Sequence, residues 1–416
     1  MPGAVEPPSG HGRQVRPCAF GAGTRYPTGP FFLASSFGAP PLPANPISAV
    51  DPDGLLEFSV VFTDRSLNHM SAAFQAVMRD ISATLRKVYG AHSVAVVPGG
   101  GTYGMESVAR QFATGKRVAV LRNGWFSYRW TQIFETGGIP AAASVLQARR
   151  TEAAATAPWA PAPIEEVEAH IHSEKPDLVF APHVETASGI LLPDDYLRRV
   201  AAAVHAVGGL FVLDCIASGT LWVNMQALGI DVLITAPQKG WSGTPGAGLV
   251  LLGENARAKL TETKTTSFAL DLAKWLQIME AYEGGSHAYH ATMPTDGLRR
   301  LRDLMIETER AGFEKLRERQ IELGSGVRKL LAERGLPSVA APGFAAPCVV
   351  VSYTEHADMV QRFAKAGAQV AAGVPLMCGE PADYRAFRIG LFGLDKLADV
   401  GGTLARLEKA LTQALG

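Results

Sequence analysis

The hydrophobic positions of this chain follow two alternating patterns from residue 71 onward. From Ser71 to Tyr89, apolar side chains recur at three- and four-residue intervals, which predicts an amphipathic helix. Beyond it, helical stretches alternate with short apolar runs that predict strands at 93–98, 117–123, 177–183, 209–215, 231–237 and 246–252. Strands separated by helices form crossover units. The pattern therefore predicts an α/β fold with a mixed, mostly parallel sheet of the seven-stranded type, covered on both faces.

The pattern differs at the two ends of the chain. Residues 1–50 are punctuated by Pro and Gly, which predicts an irregular N-terminal arm. We expect a large domain over 51–295, in which the Ala/Pro-rich segment 140–176 is a connector that ends in a helix. After residue 295 the composition changes, which predicts a smaller α+β domain over 296–416. Its predicted elements are a long polar helix at about 296–335, a strand at 348–354, a helix near 357–366, a strand at 387–391 and a closing helix at 394–414.

Composition narrows the class of protein. Hydrophobic residues make up 47% of the chain and charged residues 19%, which is typical of a globular protein with a large core. Lys plus Arg and Asp plus Glu are 39 each, so the basic excess that favours nucleic acid or anionic membrane is absent. The four cysteines lie far apart, so we expect neither a disulfide framework nor a metal site. With no long apolar window, the sequence predicts a cytoplasmic protein.

Three features at predicted strand ends are candidates for ligand binding or catalysis. Three glycines, 99–101, and Thr102 lie between a strand and a helix, where free backbone N–H groups can hold an anion such as one phosphate. Asp214 ends an apolar strand, and Lys239 lies in a Gly/Ser/Pro-rich turn between two buried strands. Each has an ordinary alternative: a turn without a ligand, a helix cap and a surface lysine. Together, an anion loop, a carboxylate and a buried lysine are what pyridoxal phosphate (PLP) requires.

The sequence also resembles a known family, the class V aminotransferases of fold type I, and in particular their alanine–glyoxylate and serine–pyruvate branch. The segments that carry the resemblance are NHMSAAFQAVMRDI (68–81), VVPGGGTYGMES (96–107), NGWFSYR (123–129), HVETASGILLP (183–193), LDCIASG (213–219), QKGWSGTPG (238–246), YHATMPT (289–295) and FRIGLFG (387–393). Their order and spacing match from about residue 68 to the C-terminus.

The resemblance implies a role for each matching position. Lys239 would be the Schiff-base lysine and general base, and Asp214 would pair with the pyridinium nitrogen. Arg388 would bind the substrate carboxylate. The remaining cofactor contacts would be Gly100, Gly101, Thr102 and Gln238 around the phosphate, Phe126 (or Trp125 beside it) and Ile216 on the two ring faces, Thr186 near the phenolic oxygen, and Tyr289 and Thr292 reaching the phosphate from a neighbouring subunit. The active unit would then be a homodimer with its active site at the subunit interface.

These positions also have structural interpretations. Aromatic residues such as Phe126 can fill a core, Thr186 can cap a turn, and Tyr289 and Thr292 can brace a domain junction. Arg388 can pair with a structural acid. Roles for His183 and Glu185, at another predicted strand end, stay open.

The resulting hypothesis is a PLP-dependent aminotransferase that moves an amino group between a small amino acid and a 2-oxo acid. The alternatives are another PLP reaction on the same scaffold (a lyase, a desulfurase or a carbon–carbon bond-forming enzyme) or a non-catalytic PLP-fold binding protein. For a desulfurase, Cys378 is the candidate nucleophile. The segment GAGTRYPTGPFFLASSFGAP (21–40) replaces the family's usual Gly-Pro opening, so the identity of donor and acceptor is left open.

Overall fold

The computed structural model describes residues 49–416 of the chain, so the predicted N-terminal arm lies almost entirely outside the described residues. These residues form twelve strands: β1 Ser93–Pro98, β2 Arg117–Arg122, β3 Ala142–Gln147, β4 Arg149–Arg150, β5 Trp159–Ala160, β6 Leu178–Pro182, β7 Leu210–Asp214, β8 Val232–Thr235, β9 Ala247–Leu252, β10 Val349–Tyr353, β11 Ala371–Ala372 and β12 Ala386–Gly390. They also form thirteen helices: α1 Ala72–Tyr89, α2 Gly101–Phe112, α3 Trp125–Gly137, α4 Ile164–Glu174, α5 Asp194–Ala206, α6 Met225–Leu228, α7 Glu254–Leu260, α8 Leu272–Glu283, α9 Thr295–Ala311, α10 Phe313–Ala332, α11 Met359–Lys365, α12 Leu394–Ala398 and α13 Val400–Leu415.

A seven-stranded sheet organises the larger part of the molecule. Its strand order is β1-β9-β8-β7-β6-β2-β3, in which β9 runs antiparallel to both neighbours and the other pairs are parallel. Every residue of β6, β7, β8 and β9 is buried, because helices cover both faces. This burial explains the uninterrupted apolar runs in the sequence. The prediction of a mixed, mostly parallel sheet is confirmed.

Helix α1 shows how local sequence sets an element's limits. Ser71 is the N-cap, and its hydroxyl accepts a hydrogen bond from the N–H of Phe74 at 3.1 Å. Gly90 ends the helix in the left-handed conformation, with φ of 64°, which glycine adopts without steric cost. The predicted helix over 71–89 therefore agrees with the structure.

Three sequence-based interpretations were wrong. The connector assigned to 140–176 contains β3, the edge strand of the large sheet; its side chains are half-buried or exposed, so it lacks the apolar run that marked the other strands. The long helix predicted at 296–335 is two helices, α9 and α10, which break at Gly312, where φ is 91°. The closing helix is likewise divided, into α12 and α13, at Asp399, whose carboxylate accepts from the N–H of Gly402.

A second sheet, of order β10-β12-β11 and wholly antiparallel, lies in the C-terminal part of the chain. Its own apolar cluster includes Leu323 and Val327 of α10 and Phe363 of α11. Leu298 and Leu301 of α9 instead pack into the core of the large sheet. The domain limits at 51–295 and 296–416 stay a prediction. Within residues 49–416, no helix combines the length and hydropathy that a membrane crossing requires.

Candidate functional site

The start of α2 presents backbone N–H groups at the carboxyl end of β1. Gly100 is its N-cap, and a Cβ placed on Gly100 would meet no atom within 4 Å, so one side of this helix start is open. On the other side, a Cβ on Gly101 would lie 2.4 Å from Cδ1 of Ile216. The two chain segments can approach this closely only with glycine at position 101. An open helix N-terminus of this kind is suited to an anion.

Asp214 ends β7 as a buried carboxylate. Its Oδ1 accepts a hydrogen bond from the N–H of Ile216 at 2.9 Å, and no ion pair to it is formed by any residue of 49–416. Burial raises the pKa of Asp214 to about 7; the bond from Ile216 opposes this rise, the charge of Glu185 adds to it, and Arg129 opposes it. A carboxylate in this condition would be stabilised by a cation placed beside it.

Lys239 lies in the turn that follows β8, between buried strands. Its Nζ lies 5.0 Å from the centre of the Phe392 ring and forms no hydrogen bond or ion pair with any described residue. Burial lowers the pKa of this ammonium, and the positive charge of Arg388 lowers it further. Next to it, the side-chain oxygen of Gln238 is buried and has no partner. Both side chains therefore retain unused capacity for contacts with a ligand.

Phe126, at the start of α3, lies beside two guanidinium groups. The Cζ atoms of Arg129 and Arg388 are 5.1 Å and 5.7 Å from the centre of its ring. Arg129 also donates to the Oγ1 of Thr102 at 2.9 Å, which links α3 to the start of α2. Burial lowers the pKa of Arg388, whose Nε donates to the carbonyl oxygen of Ala372 at 2.8 Å. The ring and both arginines thus connect the anion-binding turn to the small sheet.

Glu185 has a structural role that the sequence left open. Its carboxylate is fully buried and accepts hydrogen bonds from the N–H groups of Phe126 (3.1 Å), Ser127 (2.9 Å) and Ala187 (2.9 Å), and from the Ser127 hydroxyl (2.7 Å). A negative charge at the start of α3 is favoured by the helix dipole. Glu185 therefore fixes the end of the helix that carries Phe126.

Two further residues near the site, His183 and Arg129, had no role assigned from the sequence. The Nδ1 of His183 lies 2.7 Å from the Ser218 hydroxyl, and burial lowers the histidine pKa to about 3, so the ring is neutral. Arg129 was missed altogether, although its position one helical turn after Phe126 places both on one face of α3.

The remaining candidates divide into two groups. Thr186 lies in the turn directly after Glu185, and the ring of Trp125 packs 5.7 Å from that of Tyr128. Tyr289 and Thr292 lie on the exposed loop between α8 and α9, with their hydroxyl oxygens 3.4 Å apart. Tyr289 is 58% exposed, so this pair is available to a second chain.

Cysteine chemistry is not supported at this site. Cys378 is buried, its Sγ lies 3.4 Å from the carbonyl oxygens of Arg122 and Leu376, and burial raises its pKa to about 12. Cys215, beside Asp214, is also buried, and burial raises its pKa. A thiol must ionise to act as a nucleophile, so neither residue is suited to a desulfurase reaction.

Comparisons with known proteins identify the family. Residues 56–386 match the class-V aminotransferases, and the chain belongs to this family. It shares 29% identity with the alanine–glyoxylate aminotransferase of Oryctolagus cuniculus over 61% of the chain and 64% of that enzyme, a little under two thirds of the relative's length. It shares 29% identity with the 2-aminoethylphosphonate–pyruvate transaminase of Paraburkholderia phymatum over 82% of the chain and 92% of that enzyme. The crystal structure of an alanine–glyoxylate aminotransferase from Nostoc sp. has the same fold, with a TM-score of 0.72 at 21% identity, covering 85% of this chain and 90% of that one.

Family membership makes this chain a PLP-dependent aminotransferase of fold type I. The residues present fit that cofactor. Asp214 is a buried carboxylate without a cation, which a protonated ring nitrogen would supply. Lys239 is an unpaired amine in the turn after β8, the strand that pairs in parallel with β7, which Asp214 ends. The open side of Gly100 leaves space for a phosphate at the start of α2.

Proposed function

We propose that this enzyme transfers an amino group between a small amino acid and a 2-oxo acid, with Lys239 as the residue that binds PLP covalently and moves the proton. The observation that carries the proposal is the environment of Lys239. Its Nζ is unpaired, half-buried and beside the Phe392 ring, and burial and the charge of Arg388 lower its pKa. A lysine with a lowered pKa has a larger neutral fraction, and only the neutral amine acts as a nucleophile or base.

Bound PLP supplies an electron sink that makes the α-hydrogen of an attached amino acid acidic. Asp214 contributes the charge that keeps the ring nitrogen protonated, and the N–H of Ile216 holds its Oδ1 in place. Lys239 Nζ, as a neutral amine, would take up the proton released from the substrate's α-carbon and would deliver it on the other side of the substrate's nitrogen.

The phosphate would bind at the start of α2. Gly100 and Gly101 offer backbone N–H groups and Thr102 offers its hydroxyl. The side-chain NH2 of Gln238 would donate to the same phosphate. Arg129 adds positive charge at this end because it donates to Thr102. Phe126 and Ile216 would cover the two faces of the ring, and Thr186 would lie near its phenolic oxygen.

Arg388 would bind the substrate carboxylate. Its guanidinium lies beside Phe126 and is close enough to Lys239 to lower that residue's pKa, so a carboxylate bound to it would place the α-carbon near Nζ. A planar guanidinium holds a carboxylate through two parallel hydrogen bonds. The names of the relatives suggest alanine, glyoxylate, 2-aminoethylphosphonate and pyruvate as the first compounds to test.

We further propose a homodimer in which Tyr289 and Thr292 reach the phosphate of the partner's site. Their exposed hydroxyls support this arrangement, as does the run of exposed apolar side chains before α1, where Leu55 is 95% and Phe58 90% exposed. Patches of this kind mark interfaces between proteins. A cytoplasmic location is part of the proposal, because the cysteines of residues 49–416 are free thiols.

The test is a substrate screen of the purified holoenzyme. Alanine alone should convert the lysine-bound cofactor, seen as loss of its near-visible absorbance, with one equivalent of pyruvate formed. Glyoxylate should then restore the absorbance. Arg388→Lys should raise KM for every substrate with a carboxylate at the α-carbon, whereas 2-aminoethylphosphonate, whose amine-bearing carbon has no carboxylate, should be less affected. Intact cofactor absorbance that no amino donor changes would refute the transaminase assignment.

A further inference from the structure

A cavity lies apart from the residues assigned to the cofactor and substrate. It has a volume of about 490 Å³ and is formed by α10 on one side and by the start of α5 with residues 221–228 on the other. Cavities that hold small organic ligands span roughly 300–1,000 Å³. Its wall is mixed: Leu191, Leu221 and Ile321 are apolar, while charged groups come from α5 and α10.

The charges in this wall are unequally neutralised. Arg198 pairs with Asp194 and Asp195, and Arg317 pairs with Glu314 at 3.2 Å. Arg328 forms no ion pair with any residue of 49–416. The cavity therefore contains one guanidinium whose charge the surrounding protein does not balance.

Arg328 also has unused hydrogen-bonding capacity. Both of its hydrogen bonds come from Nη2, to the carbonyl oxygens of Ala346 at 2.6 Å and Val349 at 3.5 Å. Nε is buried without a partner, and Nη1 donates to no described residue. Burial lowers the pKa of this arginine to about 10. Arg328 is half-buried, and a cation partly removed from water is costly unless an anion meets it.

His183 connects the cavity wall to the cofactor site. Its ring is neutral and lines the cavity, and its Nδ1 is engaged with Ser218, so Nε2 is left for an occupant. Its backbone N–H donates to the carbonyl oxygen of Asp214 at 2.8 Å. An occupant of the cavity would thus contact a residue bonded directly to the segment that carries Asp214.

We propose that this cavity binds a small organic carboxylate, whose oxygens accept from Arg328 and whose short apolar body packs against Leu191, Leu221 and Ile321. The ligand supplies the counter-charge that the protein lacks, and it joins α10 to the start of α5. Charge-assisted hydrogen bonds to a guanidinium are about twice as strong as neutral ones, so removal of Arg328 should abolish the site.

The probe is isobutyrate, which has a branched apolar body and neither the amino nor the oxo group of a substrate. Titrations use the holoenzyme carrying Arg388→Gln, so that carboxylate binding at the proposed substrate position does not contribute. Calorimetry and thermal unfolding are measured against sodium chloride at equal ionic strength. We expect saturable binding with a rise in the unfolding midpoint, because a ligand of the folded state stabilises it.

Arg328→Gln should raise the dissociation constant at least tenfold, whereas the neighbouring Lys329→Gln, an exposed residue, should leave it unchanged. Ser325→Asp is a second variant that tests the same contact independently, because residue 325 lines the cavity one helical turn before Arg328. The new carboxylate should pair with Arg328 and weaken isobutyrate binding without preventing folding. Equal effects of isobutyrate and chloride, or binding that Arg328→Gln and Ser325→Asp leave intact, would overturn the proposal.

Discussion

The buried carboxylate of Asp214 makes the stability of the cofactor-free enzyme depend on pH. The pKa of Asp214 is raised from 3.8 to about 7 in the folded protein, chiefly by burial. Between these two values the folded state holds a proton that the unfolded state releases, so stability falls as pH rises through this window. In Asp214→Asn the side chain cannot titrate, and this part of the pH dependence disappears.

The magnitude follows from the two pKa values. Integrating the difference in bound protons from pH 5 to pH 8 gives a loss of about 3 kcal/mol in the free energy of unfolding. With an unfolding entropy of about 2.1 cal/mol/K per residue over 416 residues, that energy corresponds to a midpoint shift of about 3 °C. Asp214 is only 8% exposed, so no large discount for solvent screening applies.

The assay is thermal unfolding of both cofactor-free proteins at pH 5 and pH 8. All other titrating groups are shared, so the difference between variant and wild type isolates Asp214. We expect Asp214→Asn to gain about 3 °C relative to wild type on going from pH 5 to pH 8. Saturation with PLP should remove the wild type's dependence, because the ring nitrogen supplies the missing cation. A relative gain below about 1 °C, or one unaffected by the cofactor, would refute the reasoning.

Four further substitutions test other parts of the site. Lys239→Ala should retain PLP through its phosphate after gel filtration, lose the absorbance of the covalently bound form, and lose at least about 100-fold in turnover; near-wild-type turnover would contradict its assignment. Arg388→Lys should raise KM more than it lowers kcat, measured with alanine as donor, because a lysine cannot fork onto a carboxylate. Glu185→Gln should lower the free energy of unfolding by about 1–3 kcal/mol in denaturant titrations, since the start of α3 loses its buried charged acceptor; an unchanged midpoint would show that the contacts are not stabilising. Gly101→Ala should displace Ile216 and weaken PLP binding in fluorescence titrations of the cofactor-free enzyme, while the same change at Gly401, an exposed position of α13 where a Cβ would meet no atom within 4 Å, serves as the matched control.

The sequence alone predicted six of the seven strands of the large sheet. Strands buried on both faces carry uninterrupted apolar runs, and the turns between them carry Gly, Pro and capping residues, so their positions could be predicted to within about two residues. Asp214 and Lys239 were found for the same reason: a charged residue at the end of an apolar strand, or within a turn between two, departs from the local pattern. Their assignment to the reaction remains a proposal.

The tertiary structure decided where the edge strand of the large sheet lies and where neighbouring helices break. Strand β3 lies at the edge of the sheet, where half-exposed side chains remove the apolar signal. The break between α9 and α10 depends on which core each helix packs against, and periodicity within one continuous polar stretch does not record that choice. Gly312 alone was too weak a signal, since single glycines are tolerated within helices.

Residues whose roles depend on distant partners could not be assigned from sequence. Glu185 acts on the start of α3, 59 positions earlier in the chain, and Arg129 reaches Thr102, 27 positions earlier. Arg328 can be distinguished from Arg317 on the same helix only in the folded protein, where Arg317 pairs with Glu314 and no acid among the described residues lies opposite Arg328. Sequence fixes which side chains can ionise or donate. The fold decides which of them meet a partner, because burial and opposing charge arise from segments far apart in the chain.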